Sequence, residues 1–118
     1  MSSTARFVFH VCMDVAADKE ALFNEVYDTE HVPYLLQVPG VVAVTRTRTV
    51  PFKVNIGGET KNLQAATPRY TALYFIETPD VLTSGGWSEA VERGRWAPEV
   101  REHTFNRSHA LTEIISYT

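Results

Sequence analysis

The chain lacks the features that would support a disulfide-bonded, membrane or nucleic-acid-binding protein. Of its 118 residues one is cysteine, Cys12, so no disulfide can form within the chain and a metal site built from cysteine thiolates is excluded. No apolar run approaches the ~20 residues of a membrane-spanning helix, and no run of signal-peptide length stands near the N-terminus. The formal net charge is -3, with basic and acidic residues interspersed, whereas a nucleic-acid surface needs a concentrated basic face. We therefore expect a cytoplasmic protein that binds neither membranes nor nucleic acids.

Signatures of metal and nucleophilic chemistry are also missing. No two of the candidate ligands His10, His31 and His103 have the short spacing typical of metal-binding histidines. No serine stands in a Gly-x-Ser-x-Gly turn, so a nucleophilic triad is unsupported. Haem needs only one axial histidine, which His31 can provide, and nothing in the sequence separates haem from other flat ligands. We expect no metal and no resident cofactor, with haem kept as the alternative.

The chain has enough apolar residues for one hydrophobic core. Apolar residues make up 44% of the sequence and charged residues 21%, which is typical of an ordinary globular chain. The length predicts a single domain over residues 1–118. Because a domain of this size buries only about two-thirds of its unfolded surface, further burial by self-association is favoured.

The order of predicted elements indicates the fold class. Alternating apolar residues predict four strands, and helical patterns stand between them; the predicted strands are 6–13, 41–50, 69–77 and 104–117. The first helix begins near Asp18 and should break before Pro33, which lacks an amide hydrogen. The second helix covers 87–94, and an extended arm or hairpin is inserted at about 51–68. This order predicts an α+β, ferredoxin-like βαββαβ fold with a four-stranded antiparallel sheet.

Apolar residues on both faces of the strands indicate a partner. In the first strand Phe7 and Phe9 point one way, while Val8 and Cys12 point the other way. The helices of a ferredoxin-like fold can cover only one face of the sheet. The simplest cover for the second face is the same face of another copy, so we expect a homodimer that forms a dimeric α/β barrel.

Tyr27 and His31 are the strongest candidates for catalytic residues. Their i, i+4 spacing places both side chains on one face of the first helix. A histidine titrates near neutrality, which suits removal of a proton next to a carbonyl group, and Tyr27 could then bind the enolate oxygen. The alternative is structural: His31 would lie at the helix end and complement the helix dipole.

Further candidates are spread along the chain, and each has an ordinary structural alternative. His10 can support acid–base chemistry if its face of the first strand meets the pocket; otherwise it is a satisfied core histidine. Aromatic side chains can form the pocket walls or pack in the core, and an arginine at a helix break can receive a carboxylate or a phenolate, or stay in solvent. The predicted substrate-binding residues are Tyr34, Tyr74, Trp87, Arg95, Trp96 and Asn106.

The segment from Tyr27 to Val41 resembles a known family. Its sequence YDTEHVPYLL, followed by VPGV, is similar to the dimeric α/β-barrel superfamily and, within it, to the EthD-like proteins. Those proteins carry a similar aromatic residue, then His-Val/Met-Pro, then a Pro-Gly turn into the second strand. The resemblance implies a pocket between sheet and helices for a hydrophobic, often aromatic or lactone, molecule. It also implies acid–base chemistry by histidine and tyrosine without metal.

These observations together predict a small cofactor-independent enzyme of the lyase, isomerase or cyclase type. It would act on a hydrophobic carbonyl compound, aromatic or a lactone, with His31 as the acid–base group, Tyr27 or Tyr34 assisting and His10 in support. The alternatives are a non-catalytic protein that binds a small molecule, and a haem or quinone-type monooxygenase of the same superfamily.

Overall fold

The computed structural model describes residues 4–117. Its six strands are β1 (Phe7–Val15), β2 (Val41–Arg48), β3 (Phe52–Ile56), β4 (Glu59–Leu63), β5 (Tyr70–Ile76) and β6 (Thr104–Glu113). Four of them form an antiparallel sheet in the order β2-β5-β1-β6. The helices are α1 (Glu20–Val26), α2 (Val32–Leu36) and α3 (Gly85–Ala90). The predicted α+β, ferredoxin-like fold is confirmed.

The strict alternation along β5 defines the two faces of the sheet. Tyr70, Ala72, Tyr74 and Ile76 are buried, and the residues between them are half-buried. The helices therefore cover the face that carries the tyrosines. The hydrophobic core lies between this face and the helices, and its largest fully buried side chains are Tyr74, Phe23, Leu35, Ile76, Val26 and Val100.

The predicted break before Pro33 is wrong, because the helix continues through a wider turn. Tyr27–His31 form a π-helical turn that joins α1 directly to α2. The amide of Val32 donates to the carbonyl of Tyr27, five residues earlier. The extra residue in this turn accommodates the proline, which has no amide hydrogen to give to the helix. His31 is consequently followed by another helical turn and does not cap a helix end.

The second helical region also starts earlier than the sequence pattern predicts. The helix α3 begins at Gly85, so Gly85 and Gly86 do not interrupt it. Ser84 stands before it, and its Oγ accepts a hydrogen bond from the Trp87 amide at 3.3 Å. The helix ends at Ala90, and a π-helical turn at Trp96–Val100 and a 3-10 turn at Arg101–His103 lead into β6.

Between β2 and β5 the chain forms a separate hairpin. Strands β3 and β4 pair only with each other, with Phe52 opposite Leu63. Gly57 and Gly58 connect them with φ of 61° and 80°, which is the left-handed backbone of a tight two-residue hairpin turn. Within residues 4–117, no helix is long and apolar enough to cross a membrane.

Candidate functional site

A cavity of about 200 Å³ lies between the helix-covered face of the sheet and the helical segments. It is enclosed by aromatic and aliphatic side chains, with basic groups among them: Phe9, Val11, Met13, Tyr27, His31, Leu35, Tyr74, Trp87, Val91, Trp96, Arg101, Arg107 and His109. An apolar cavity of ~150 Å³ is known to hold benzene. This cavity is therefore large enough for one ring with a substituent.

His31 contributes a buried polar side chain to this lining. Its side chain is buried, with 5% of its surface exposed, and its Nδ1 has no hydrogen-bond partner within the described residues. The Trp96 ring stacks on the imidazole, with ring centroids 4.5 Å apart and planes at 24°. An unpaired buried nitrogen costs about 1–3 kcal/mol. The imidazole is also one of the side chains that line the cavity, so a bound molecule would lie against it.

The environment of His31 keeps the imidazole neutral. Burial is the main cause that lowers its pKa from 6.5 to about 4, and the positive charge of Arg101 lowers it further. Glu92 opposes this shift in part. Since the pKa lies well below neutral pH, the ring has a free nitrogen lone pair that can accept a proton or a hydrogen bond.

Tyr27, whose ring lies against this imidazole, pairs its hydroxyl with that of Tyr74. Their oxygens are 3.0 Å apart, and the Tyr27 ring lies 5.0 Å from the His31 ring, centroid to centroid. Burial raises the pKa of Tyr27 to about 12 and also raises the pKa of Tyr74, so both remain phenols at neutral pH. One hydroxyl hydrogen serves the mutual bond, and the other is free to be donated to a ligand.

Arg46 contacts the ring of Tyr27. Its guanidinium lies 4.5 Å from the centre of the Tyr27 ring, a distance typical of a cation–π contact. It also donates to Asp28 Oδ1 at 2.7 Å and to Asn24 Oδ1 at 2.8 Å. These three contacts hold the Arg46 side chain in place on β2, the edge strand of the sheet. Its guanidinium thereby helps to fix the position of the Tyr27 ring.

The two tryptophans of the chain form aromatic walls of the cavity. Trp87 meets the Tyr74 ring edge-on at 5.3 Å and the Phe9 ring at 5.9 Å. Trp96 meets the Tyr27 ring edge-on at 5.1 Å. The structure thus brings five of the residues selected from the sequence to one cavity: Tyr27, His31, Tyr74, Trp87 and Trp96.

The other four selected residues lie outside this cavity, and His10 is the clearest case. His10 pairs with Leu73 of β5, whereas its neighbour Phe9 pairs with Tyr74. Because side chains alternate along a strand, the imidazole of His10 points to the opposite face of the sheet. There its Nε2 lies 3.1 Å from Thr112 Oγ1. His10 therefore does not reach His31 or the hydroxyl pair.

Tyr34 and Arg95 belong to the outer side of the helical layer. The Tyr34 ring packs near Gly94 and lies 5.3 Å from the Arg93 guanidinium. Arg95 forms an ion pair with Glu30 and a second with Glu25 at 3.0 Å. Both side chains are used in surface contacts, so neither extends into the cavity.

Asn106 does not line the cavity. Its backbone conformation instead decides which side chains of β6 face the cavity. It lies in β6 with φ of 53° and donates from Nδ2 to Asp14 Oδ2 at 2.9 Å. The second oxygen of Asp14 accepts the Arg69 amide at 2.7 Å. At this point Cys12 pairs with Ser108 while Asp14 pairs with Phe105, so β6 has one extra residue. This is a β-bulge held by an asparagine in left-handed geometry.

The bulge changes which residues of β6 face the helices. Thr104 is buried and pairs with Val15, whereas His109 pairs with Val11, so both lie on the helix-covered face. Without the extra residue, the alternation that places Thr104 inward would turn Arg107 and His109 away. Sequence reasoning did not identify Arg107, His109 or Arg101. An asparagine within a strand pattern is the one signal that could have indicated the bulge.

The cavity does not suit a metal centre or a haem. Among residues 4–117, no group of three His, Cys, Asp or Glu side chains is placed to hold a metal ion. A porphyrin is much larger than a cavity of about 200 Å³, so the residues present do not fit the group, although His31 has a free nitrogen. A larger open groove of about 500 Å³ lies at β2, but its central Arg46 and Asp28 are paired with each other.

Comparisons with known proteins support the fold. No family model matches this sequence, and no curated protein matches it. Among solved structures, the chain is similar to an EthD family protein from Bacillus halodurans C-125, with a TM-score of 0.57 and 14% sequence identity. The match covers 92% of this chain and 99% of the other chain. The chain therefore has the EthD-like, ferredoxin-like fold that the segment from Tyr27 to Val41 indicated.

Proposed function

We propose that this protein is a small enzyme of the lyase, isomerase or cyclase type that works by general acid–base catalysis without a cofactor. Its substrate is a hydrophobic carbonyl compound, aromatic or a lactone, of about one ring and a substituent. The observation that carries the proposal is the buried imidazole of His31 in the lining of an aromatic cavity, which also contains the Tyr27–Tyr74 hydroxyl pair.

The proposed reaction begins with removal of a proton from the carbon next to the carbonyl group. The neutral imidazole of His31 takes this proton. The electron pair of the C–H bond forms a carbon–carbon double bond, and the π pair of the carbonyl moves onto its oxygen to give an enolate. The free hydroxyl hydrogen of the Tyr27–Tyr74 pair donates to that oxygen. The imidazolium then returns the proton at another carbon, or to a leaving group, which gives isomerisation or elimination respectively.

The low pKa of His31 narrows the substrate class. A base whose conjugate acid has a pKa of about 4 is weak, so it removes only protons that are already acidified. Carbon acids activated by an aromatic ring in addition to a carbonyl, or by two carbonyl groups, meet this requirement. The same low pKa favours a second candidate function, in which His31 only accepts a hydrogen bond and the protein binds the compound without changing it.

Exchange of carbon-bound hydrogen for solvent deuterium tests the enzyme proposal without knowledge of the natural substrate. Phenylacetone and 2-coumaranone fit one ring and a carbonyl group, and their exchange in D₂O is followed by proton NMR. We expect the wild type to accelerate exchange and His31→Gln to abolish the acceleration. His103→Gln removes a histidine outside the cavity and serves as the matched control. Unchanged exchange in a folded His31→Gln variant would refute the role of His31, whereas binding without exchange would support the non-catalytic function.

We also propose that the protein acts as a homodimer through the face of the sheet that the helices leave open. Leu73 and Phe75 lie on this face, opposite to the side that carries Phe9 and Tyr74, and both are only half-buried in the single chain. Burying them against a second copy would provide the extra apolar burial that a domain of this size favours. Sedimentation at several concentrations should give twice the chain mass, and Phe75→Glu should give the mass of one chain. A wild type that stays monomeric at high concentration would contradict this proposal.

A further inference from the structure

We propose that the compound bound in this cavity carries a carboxylate, and that Arg107 receives it at the mouth. The inference rests on the proposed ligand-binding role of the cavity and adds a substrate class to it. It comes from three observations: the charges of the lining, the partners of each arginine, and the bulge that sets the direction of β6.

The two permanently charged groups of the lining are both arginines. Arg101 and Arg107 line the cavity together with the imidazoles of His31 and His109, and no aspartate or glutamate is among its lining residues. His109 stacks on Phe9 of the cavity floor, with ring centroids 5.8 Å apart and planes at 20°. A concave site with charges of one sign and apolar walls attracts ligands of the opposite sign.

The two arginines differ in whether a carboxylate already pairs with them. Arg101 donates to both carboxylate oxygens of Glu92, at 2.9 and 2.7 Å, and to the Val91 carbonyl at 3.2 Å. Arg107 forms no ion pair with any residue that the structure describes. Its planar guanidinium therefore remains free for bidentate binding of a carboxylate, which is the geometry that arginine favours.

The β-bulge at Asn106 places Arg107 on the cavity side of β6. A four-stranded sheet could form without this bulge. Asn106 adopts φ of 53° and Asp14 fixes its amide at 2.9 Å, a backbone state that is uncommon for residues other than glycine. Bulges next to binding sites commonly redirect a side chain. Here the redirected side chains are Arg107 and His109, the basic residues at the mouth.

The arrangement specifies a ligand with an apolar body and an anionic end. The body fits among the aromatic walls, next to His31, and the carboxylate extends to Arg107 at the mouth. This orientation would present the reactive carbon to the imidazole in one direction. Recognition by charge at the mouth and by shape inside is the usual division of roles in small-molecule sites.

Two probes of nearly equal shape test the assignment: phenylacetate, an anion, and phenylacetamide, its neutral analogue. Both tryptophans line the cavity, so their fluorescence reports binding directly. We expect the wild type to bind phenylacetate roughly tenfold more tightly than phenylacetamide. R107Q should remove this preference, and R107K should keep part of it, because lysine retains the charge without the planar fork. R48Q changes an arginine of β2 that lies outside the cavity and should bind both probes like the wild type.

The outcomes separate this inference from the proposed function. If the wild type binds both probes equally, or if the carboxylate preference survives R107Q, the assignment of an anionic ligand is overturned while the cavity remains a binding site. If neither probe changes the tryptophan fluorescence up to its solubility limit, the ligand cavity itself is refuted and the inference falls with it. A preference present in the wild type and R48Q and absent in R107Q supports the inference.

Discussion

The buried, neutral state of His31 predicts a specific loss of stability in mild acid. The pKa of this imidazole is lowered from 6.5 to about 4 by burial and by Arg101. Below pH 6.5 the unfolded chain therefore binds a proton that the folded chain does not bind. Stability that is fully present above pH 6.5 is lost as the pH falls toward 4, and the complete loss is about 3 kcal/mol.

The size of this loss can be measured as a difference between two proteins. Urea unfolding, followed by tryptophan fluorescence at pH 7.5 and pH 5 and at one protein concentration, gives the free energy of unfolding. We expect the wild type to lose about 2 kcal/mol more than His31→Gln between these two pH values, because pH 5 lies about 1.5 units below the ordinary pKa of 6.5 and each unit corresponds to about 1.4 kcal/mol. Other titrating groups contribute equally to both proteins and cancel in the difference.

A direct titration of the ring checks the same reasoning without a variant. The proton NMR signals of the His31 imidazole should keep their neutral-state shifts from pH 8 down to about pH 5. A midpoint close to 6.5, or equal losses of stability in the wild type and His31→Gln, would show that the imidazole is solvated. In that case the hydrophobic cavity around it would not exist as described.

Three further predictions concern a buried hydrogen bond, a core side chain and the β-bulge. Tyr74→Phe leaves the buried hydroxyl of Tyr27 without its partner at 3.0 Å, so urea unfolding should show a loss of about 1–3 kcal/mol, and an unchanged midpoint would contradict the pairing. Leu35→Ala, at a fully buried position, should cost about 2–5 kcal/mol by the same assay, whereas Leu111→Ala, 42% exposed, should cost much less. Asn106→Val should lower the carboxylate preference of the cavity and Asn106→Gly should retain it, because glycine tolerates φ of 53° and a β-branched residue does not; equal binding by both variants would exclude the bulge as the cause.

Patterns with a short period were enough to place the main elements and part of the site. The alternation along 69–77 predicts β5, and its regular burial follows the two predicted sets of alternating residues. The i, i+4 spacing of Tyr27 and His31 predicts their common face, and their rings are 5.0 Å apart. These predictions depend only on the periodicity of a helix or a strand, which fixes the residues that share a face before any tertiary contact is considered.

Features set by contacts between distant residues could not be predicted in this way. Whether Phe9 or His10 faces the helices depends on pairing with β5, since both alternating sets are apolar enough to be buried. The bulge depends on Asp14, which is 92 residues away from Asn106 in sequence. The continuation of the helix past Pro33 depends on a wider turn that no composition rule indicates.

The arrangement of charges links the proposed base to the proposed ligand. Arg101 contributes to the low pKa of His31, and Glu92 offsets it only in part. A carboxylate bound at the mouth would add negative charge near the imidazole, and negative charge stabilises the protonated ring. The pKa of His31 would then rise toward its ordinary value when the substrate is bound. A histidine that is a weak base in the empty cavity would become a better base beside an anionic substrate, which reconciles its low pKa with a catalytic role.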